Sequence, residues 1–235
     1  MQVFYAPDIN CDIFYLDENE SKHVIRVLRM KPGMQVMLID GKGNLYEGEI
    51  ADDNPKRCRI IIRNVRPGFE KRNYSLHLAI SPLKNSDRFE WFIEKSVEIG
   101  IDIITPLLCH NTEKESVKES RINSIIISAM KQSLKATGTV FNKPVGFNEF
   151  VSSDLSGNKM IAHCNSSFVR KKITDAYEKS RDAVILIGPE GDFSEDEIKY
   201  SIEKGFECIH LGASRLRTET AGIAACHSVY LINQE

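Results

Sequence analysis

The spacing of apolar segments changes near residue 70, and that change commits the chain to two unlike folding units. Before it, short strand-like runs (QVFYA, IFYL, QVMLID, NLYEGEI, RCRIIIRNV) are separated by turn signals such as Gly41-Lys42-Gly43. One helix interrupts them. It is predicted over Glu18 to Arg29, with Asp17 and Glu20 in a capping-box-like start and Pro32-Gly33 as the stop. Strands of this length and spacing predict a small β-barrel rather than an open sheet.

From about Tyr74 the order becomes strand, helix, strand, helix. LHLAI precedes a helix predicted over Ser86 to Ile99, whose Phe89, Phe92, Ile93 and Val97 share one face, with Gly100 at the C-cap position. DIITPLLC, KMIAHC, AVILIG and CIHLG are the further strands. Helices are expected over about Ser120 to Ala136, within 168–179, over Ser194 to Lys204 with a Ser194/Glu197 capping box, and on to Ile232. Five strands separated by helices imply a parallel sheet covered on both faces. The domain boundary falls between Pro67 and Asn73, giving domains 1–70 and 73–235.

A chain of 235 residues with 42% hydrophobic and 27% charged side chains has the composition of a globular protein that buries its own core. No apolar run approaches the roughly 18 residues of a membrane span, and the start lacks the basic and apolar regions of a signal peptide. The expected location is therefore the cytoplasm, with no membrane partner. The six cysteines, at 11, 58, 109, 164, 208 and 226, show no C-x-x-C spacing and no tight Cys/His clustering of the kind that reads as a zinc site. Reduced thiols, no disulfide and no metal site are expected.

The formal net charge of -2 excludes a polycation but conceals a segregation. Residues 56–72 hold seven basic side chains against Glu70 alone, and residues 21–31 add Lys22, Arg26, Arg29 and Lys31 with no acid. Residues 182–203 hold seven acids against Lys199. Such a run is by itself more often a solvated face than a binding surface. The predominance of arginine points toward phosphate, because a guanidinium fork matches phosphate oxygens two at a time. An arginine-rich edge on a small barrel fits folded RNA, which is recognised through shape and backbone.

AVILIG runs directly into Gly188-Pro189-Glu190-Gly191-Asp192-Phe193, and CIHLG runs into Leu211-Gly212-Ala213-Ser214-Arg215-Leu216-Arg217-Thr218-Glu219-Thr220-Ala221. Ligands of parallel α/β sheets sit at the carboxyl ends of strands, so two such loops after strands are candidate site elements. Neither is a G-x-G-x-x-G or P-loop sequence, and Glu190 opposes a pyrophosphate, which disfavours a dinucleotide. Arg215, Arg217, Thr218, Glu219 and Thr220 crowd a helix N-terminus, where backbone and side-chain donors converge.

The combination of LIGPEGDFSEDEI with LGASRLRTETA, preceded by DRFEWFIEKSVEIGIDIITPL and HVIRVLRMKPGMQVMLIDGKGN, resembles the bacterial 16S ribosomal RNA uridine N3-methyltransferases of the SPOUT superfamily. The resemblance spans nearly the whole chain in order. It implies an α/β fold with a SPOUT-type parallel sheet and a C-terminal deep trefoil knot, an N-terminal PUA-like β-barrel that binds RNA, a homodimer, and S-adenosyl-L-methionine as methyl donor. The implied substrate is 16S ribosomal RNA, within the small ribosomal subunit. Carried onto this chain, the cofactor would be held by Ile187, Gly188, Pro189, Glu190 and Gly191, by Leu211, Gly212, Arg215, Leu216 and Thr218, and by a third wall of Thr105, Pro106 and Leu107. Arg26, Arg29, Lys31, Arg57, Arg59, Arg63 and Gln132 are the residues expected to meet RNA. Three departures stand out, one being the His163-Cys164-Asn165 end of the KMIAHC strand, which matches nothing in the family's pattern. Asp192 occupies a place where the family usually has a second glycine, and Lys131-Gln132-Ser133-Leu134-Lys135 stands where other members show Glu-Gln-Cys-Gly-Arg.

Methylation of uracil N3 requires an exposed base, an in-line approach to the sulfonium methyl, and loss of the N3 proton. The expected catalytic pair is Arg217, stabilising the uracil anion, and Glu219, orienting Arg217 or accepting the proton. Glu219 as a simple cap or ion pair at the helix start is the plain alternative. A SPOUT enzyme acting on another RNA position, or a non-catalytic RNA-binding assembly protein, would share parts of this pattern.

Overall fold

In the computed structural model, which describes residues 2–234, the chain divides into two compact units. The first holds the chain through Lys71 together with Met130–Gly138. The second holds Arg72–Ala129 and the chain from Thr139 onward.

The first unit is a curled five-stranded sheet, a half-barrel, of β1 (Val3–Tyr5), β2 (Ile13–Tyr15), β3 (Gln35–Ile39), β4 (Leu45–Asp52) and β5 (Arg59–Arg66), in the order β1-β3-β4-β5-β2. Only β1 and β3 run parallel. The curl has a local cause: the β4–β5 register slips twice, between Glu47 and Gly48 and between Ile50 and Asp52, and such bulges bend a strand and increase its twist. Phe4, Leu38, Ile50 and Ile60 fill the concave side. The helix expected to reach Arg29 is shorter. It consists of α1 (Glu18–Lys22), capped by Asp17 accepting from Glu20 N–H at 2.8 Å, followed by a π-helical turn over His23–Val27. Arg29 then turns the chain at a φ of 53°.

The second unit contains β6 (Leu76–Ile80), α2 (Ser86–Ile99), β7 (Ile103–Leu108), α3 (Glu119–Ser133), β8 (Val140–Phe141), β9 (Val145–Gly146), α4 (Phe147–Ser152), β10 (Asn158–Ala162), β11 (Lys171–Lys172), α5 (Ile173–Ala176), β12 (Ala183–Ile187), α6 (Glu195–Glu203), β13 (Glu207–His210) and α7 (Thr218–Gln234). The last turn of α3 belongs to the first unit. Every strand pair here is parallel, in the order β11-β13-β10-β12-β6-β7-β8, with β9 also on β7. β12 lies inside this sheet and is buried at all five positions, as its unbroken apolar sequence requires of a strand covered on both faces. Val184 and Leu186 meet Phe147, Phe150, Phe193 and Ile198 on one side. On the other side α7 approaches α2 and β6 so closely that a Cβ on Gly222 would lie 2.6 Å from Phe92 Cε2.

Three local expectations need adjustment. The helix predicted to Ala136 ends at Ser133, because Leu134 takes a left-handed φ of 55°. The helix within 168–179 is one turn, α5, between two short extended segments. The segment 140–152, not assigned to any element by its sequence, supplies β8, β9 and α4, whose Phe147 and Phe150 fill the core. The cappings of α2 and α6 match expectation: Gly100 closes α2 at a φ of 113°, and Ser194 and Glu197 form a reciprocal capping box.

Candidate functional site

Three adjacent parallel strands, β13, β10 and β12, end side by side, with Ala162 in register with both Ile187 and Ile209. The segments that leave them enclose a cavity of about 880 Å³, wholly within the second unit. One wall is Ile187, Gly188, Pro189 and Glu190 after β12, joined by Asp192. A second is the run from Ile209 to Glu219, which carries the chain from β13 into the first turn of α7. Ala162, His163 and Cys164, continuing β10, form the third, with Arg170 and Arg88 at the edges.

Hydrogen bonds lock these walls together. Thr218 Oγ1 donates to the Gly188 carbonyl at 3.0 Å, tying the start of α7 to the glycine loop. Asp192 Oδ2 accepts from Cys164 N–H at 2.8 Å, tying that loop to β10, while its Oδ1 accepts from Phe193 N–H. Asn111 Nδ2 donates to the carbonyls of Gly191 and Asp192 from outside. Arg170 Nη1 donates to the His163 carbonyl at 2.7 Å.

The cofactor residues expected from sequence divide into two sets. Ile187, Gly188, Pro189, Glu190, Leu211, Gly212, Arg215, Leu216 and Thr218 all line the cavity. Gly191 sits behind it, against Asn111, and Thr105, Pro106 and Leu107 lie on β7 away from it. Thr105 is buried and its hydroxyl is occupied, 2.7 Å from His77 Nε2 and 2.8 Å from Asn142 Nδ2. His77 stands edge-on to Phe150, and burial lowers its pKa to about 4, so it is a neutral, partly buried hydrogen-bonding group. Leu107 belongs to the core.

Arg217 and Glu219 both line the cavity. Arg217 is exposed and forms no ion pair among the described residues. Glu219 is 7% exposed, and its nearest cation is Arg88 of α2, Nε to Oε1 at 3.9 Å, rather than Arg217. Arg88 is one residue that the sequence reading did not single out. Its signal was weak, since an arginine on the polar side of an amphipathic helix has many ordinary uses. His163 is another.

The residues expected to meet RNA lie in the first unit, including Gln132, exposed near the end of α3. Arg26, Arg29, Lys31 and Arg57 are exposed and without ion pairs among the described residues, and Arg57 lies over the exposed Tyr15 ring at 4.1 Å. Arg59 is half-buried, with its Nε unpaired. Arg63 pairs with Glu49 at 3.2 Å and Arg66 with Glu47, both across the β4–β5 ladder. Arg72, counted with the basic run, instead pairs with Asp102 at 2.6 Å in the second unit.

No helix among the described residues is long and apolar enough to cross a membrane, and no cluster there of three or more His, Cys, Asp or Glu is arranged to hold a metal. All six thiols are free.

A parallel sheet whose carboxyl-end loops enclose a small-molecule cavity, preceded by a curled basic sheet, matches known families in both parts. Residues 70–230 fit the family model described as an RNA methyltransferase domain, and residues 16–63 that of an RNA methyltransferase PUA domain. The chain belongs to the RNA methyltransferase family. Within it, the chain is 28% identical to the ribosomal RNA small subunit methyltransferase E of Buchnera aphidicola over 95% of this chain and 90% of that protein. Among solved structures it is similar to a probable rRNA-methyltransferase from Porphyromonas gingivalis, at 36% identity and a TM-score of 0.93, covering 100% of this chain and 99% of that one. It is also similar to the ribosomal RNA small subunit methyltransferase E of Neisseria gonorrhoeae bound to S-adenosyl methionine, at 28% identity and a TM-score of 0.86, covering 99% and 98%.

Proposed function

We propose that this protein is an S-adenosylmethionine-dependent methyltransferase acting on N3 of a uridine in 16S ribosomal RNA of the small subunit. The observation that carries the reading is the convergence of three strand-end segments and the start of α7 on one cavity, whose volume lies within the roughly 300–1,000 Å³ of small-molecule sites. The solved relative from Neisseria gonorrhoeae, similar over nearly its whole length, carries S-adenosyl methionine.

The residues fit that cofactor. Ile187, Gly188 and Pro189, with Leu211, Gly212 and Leu216, offer apolar surface and backbone groups for a nucleoside, and Thr218 fixes the two loops to each other. Ala162 and His163 serve as the third wall in place of Thr105, Pro106 and Leu107. When bound, S-adenosylmethionine supplies a methyl group activated by a sulfonium. Arg217, exposed at the cavity edge, lends positive charge to the uracil ring as its N3 proton leaves. Glu219 accepts that proton, its carboxylate held beside the Arg88 guanidinium. Arg26, Arg29, Lys31, Arg57 and Arg59, with the exposed Tyr15 ring, hold the RNA backbone and one unstacked base. The resemblance extends the proposal to a homodimer, to a deep trefoil knot through the segment after β13, and to the cytoplasm as the site of action.

Incubation of the protein with cofactor and small-subunit RNA, followed by nucleoside mass spectrometry, is expected to yield 3-methyluridine. Arg217→Ala and Glu219→Gln should each lose at least about 100-fold in turnover while binding S-adenosylhomocysteine as the wild type does. A methylated nucleoside other than 3-methyluridine would reassign the position, and the absence of any methylation with small subunits, naked RNA and cofactor supplied would reject the enzyme.

A further inference from the structure

One buried polar group in the cavity wall has no partner. The imidazole of His163 is 4% exposed, and neither Nδ1 nor Nε2 makes a hydrogen bond within the protein. Leaving a buried donor and acceptor unpaired is unfavourable, and native proteins rarely tolerate it without a use. The surroundings hold this ring in place rather than satisfy it. Arg170 takes the His163 carbonyl, Asp192 takes the next N–H, and the ring lies edge-on to Phe168 at 5.8 Å. His163 follows the middle one of the three strands whose ends frame the cavity, and it lines that cavity.

Resting on the cofactor reading above, we infer that His163 is a binding residue for the nucleoside half of the cofactor, giving one hydrogen bond from its ring to the adenine base. Three observations select that half. The strand residues beside His163, Ala162 with its register partners Ile187 and Ile209, are apolar and suit a flat uncharged ring. Of the charged side chains that line the cavity, Arg88, Glu190, Arg215, Arg217 and Glu219 lie on other elements and suit the charged amino-acid end and the reacting base, while Arg170 and Asp192 beside His163 already bond its carbonyl and the next N–H. Burial lowers the His163 pKa, with Arg170 adding to the effect and Asp192 opposing it, so the ring stays neutral and offers one donor and one acceptor. Adenine presents ring-nitrogen acceptors and an amino donor, so either imidazole tautomer finds a partner there.

The test uses calorimetry on the full chain with two probes, S-adenosylhomocysteine and 5′-methylthioadenosine, the latter lacking the amino-acid end. His163→Phe keeps the packing against Phe168 and removes both polar atoms. It is expected to bind both probes about ten-fold more weakly, the worth of one hydrogen bond of about 1.4 kcal/mol. Its melting temperature should match or exceed that of the wild type, because the unpaired nitrogens are gone. His163→Gln, which retains a donor and an acceptor, should recover part of the affinity. Should His163→Phe fold poorly, imidazole ¹⁵N shifts of the wild-type protein titrated with 5′-methylthioadenosine give the same answer, the His163 signals being expected to move. Unchanged affinity in the Phe variant, unmoved ¹⁵N shifts, or a loss seen with S-adenosylhomocysteine but not with 5′-methylthioadenosine would each overturn the assignment to adenine. A wild-type protein that binds neither probe overturns the cofactor reading itself, and this inference with it.

Discussion

Replacing Asp192 by glycine sets two opposed effects against each other at the edge of the cavity. Asp192 holds a φ of 62°, a left-handed conformation that is unfavourable for an L residue by about 1–2 kcal/mol, and less for aspartate. Glycine at this position relieves about 1 kcal/mol. Against that stand two hydrogen bonds to the carboxylate, from Cys164 N–H and Phe193 N–H, both 2.8 Å. Bonds to a charged group contribute about 1.5–3 kcal/mol each. The bond to Phe193 is between chain neighbours and forms readily in the unfolded chain, so only the bond to Cys164, which ties the loop after β12 to the end of β10, counts in full. The balance favours aspartate. Asp192→Gly should destabilise the protein by about 1–2 kcal/mol and lower Tm by about 2–8 °C. Affinity for S-adenosylhomocysteine should fall with it, since the freed Cys164 amide adjoins His163. Asp192→Asn retains one acceptor but turns an amino group toward the other N–H, so it should fall between the two. Differential scanning calorimetry and titration calorimetry read the two effects separately. An Asp192→Gly variant as stable as the wild type, with unchanged affinity, would refute the reasoning and leave Asp192 as a tolerated replacement for the glycine of the family it resembles.

Other perturbations follow from the same geometry. Gly222→Ala places a Cβ 2.6 Å from Phe92 Cε2 and 2.9 Å from Ile80 Cδ1, both fully buried; overpacking of about 1–3 kcal/mol outweighs the roughly 1 kcal/mol gained in helix propensity, and Tm should fall by several degrees. His77, with its pKa lowered from 6.5 to about 4, takes up its proton more readily unfolded than folded, so stability should drop by about 3 kcal/mol as pH falls from 6.5 to 4 and level off below; His77→Gln should lessen that slope in urea titrations across the range. For RNA binding, Arg57→Ala should reduce the slope of log affinity against log salt by about 0.7–0.9, whereas Arg63→Ala should change it less, because Glu49 already pairs with Arg63; equal slopes for the two variants would contradict the placement of the interface.

What could be read from the sequence is what depends on near neighbours in the chain. β12 declares itself by an unbroken apolar run, and the ends of α2 and α6 by glycine and the Ser194/Glu197 pair, because a cap acts within three or four residues. The two glycine-bearing loops were equally visible, each directly following a strand. The third wall was not. That His163 faces the same cavity as Gly188 and Leu211 depends on β10 lying between β12 and β13, a strand order that no local pattern encodes. The same holds for Arg88, which α2 brings to Glu219 from far away in the chain. Thr105 illustrates the converse, a polar residue within a strand that looks available but is consumed by His77 and Asn142.

The charge run requires the same distinction between sequence and register. Counting seven basic side chains over residues 56–72 treats them as one surface. Pairing across β4–β5 withdraws Arg63 and Arg66, and the turn into the second unit withdraws Arg72 to Asp102. Lys56, Arg57, Arg59 and Lys71 keep their charge free of ion pairs among the described residues, as do Arg26, Arg29 and Lys31 from the earlier segment. An ion-paired arginine has already exchanged much of its hydration for a carboxylate, and a phosphate must displace that partner before it gains anything. On the proposed reading the unpaired set should therefore contribute most of the counterion release on RNA binding, and Arg57, backed by the exposed Tyr15 ring, would join a phosphate contact to a stacking surface. A net charge of -2 and a steep salt dependence are compatible for that reason: affinity follows the cations left free at the contact, while the acids of residues 182–203 belong to the other unit.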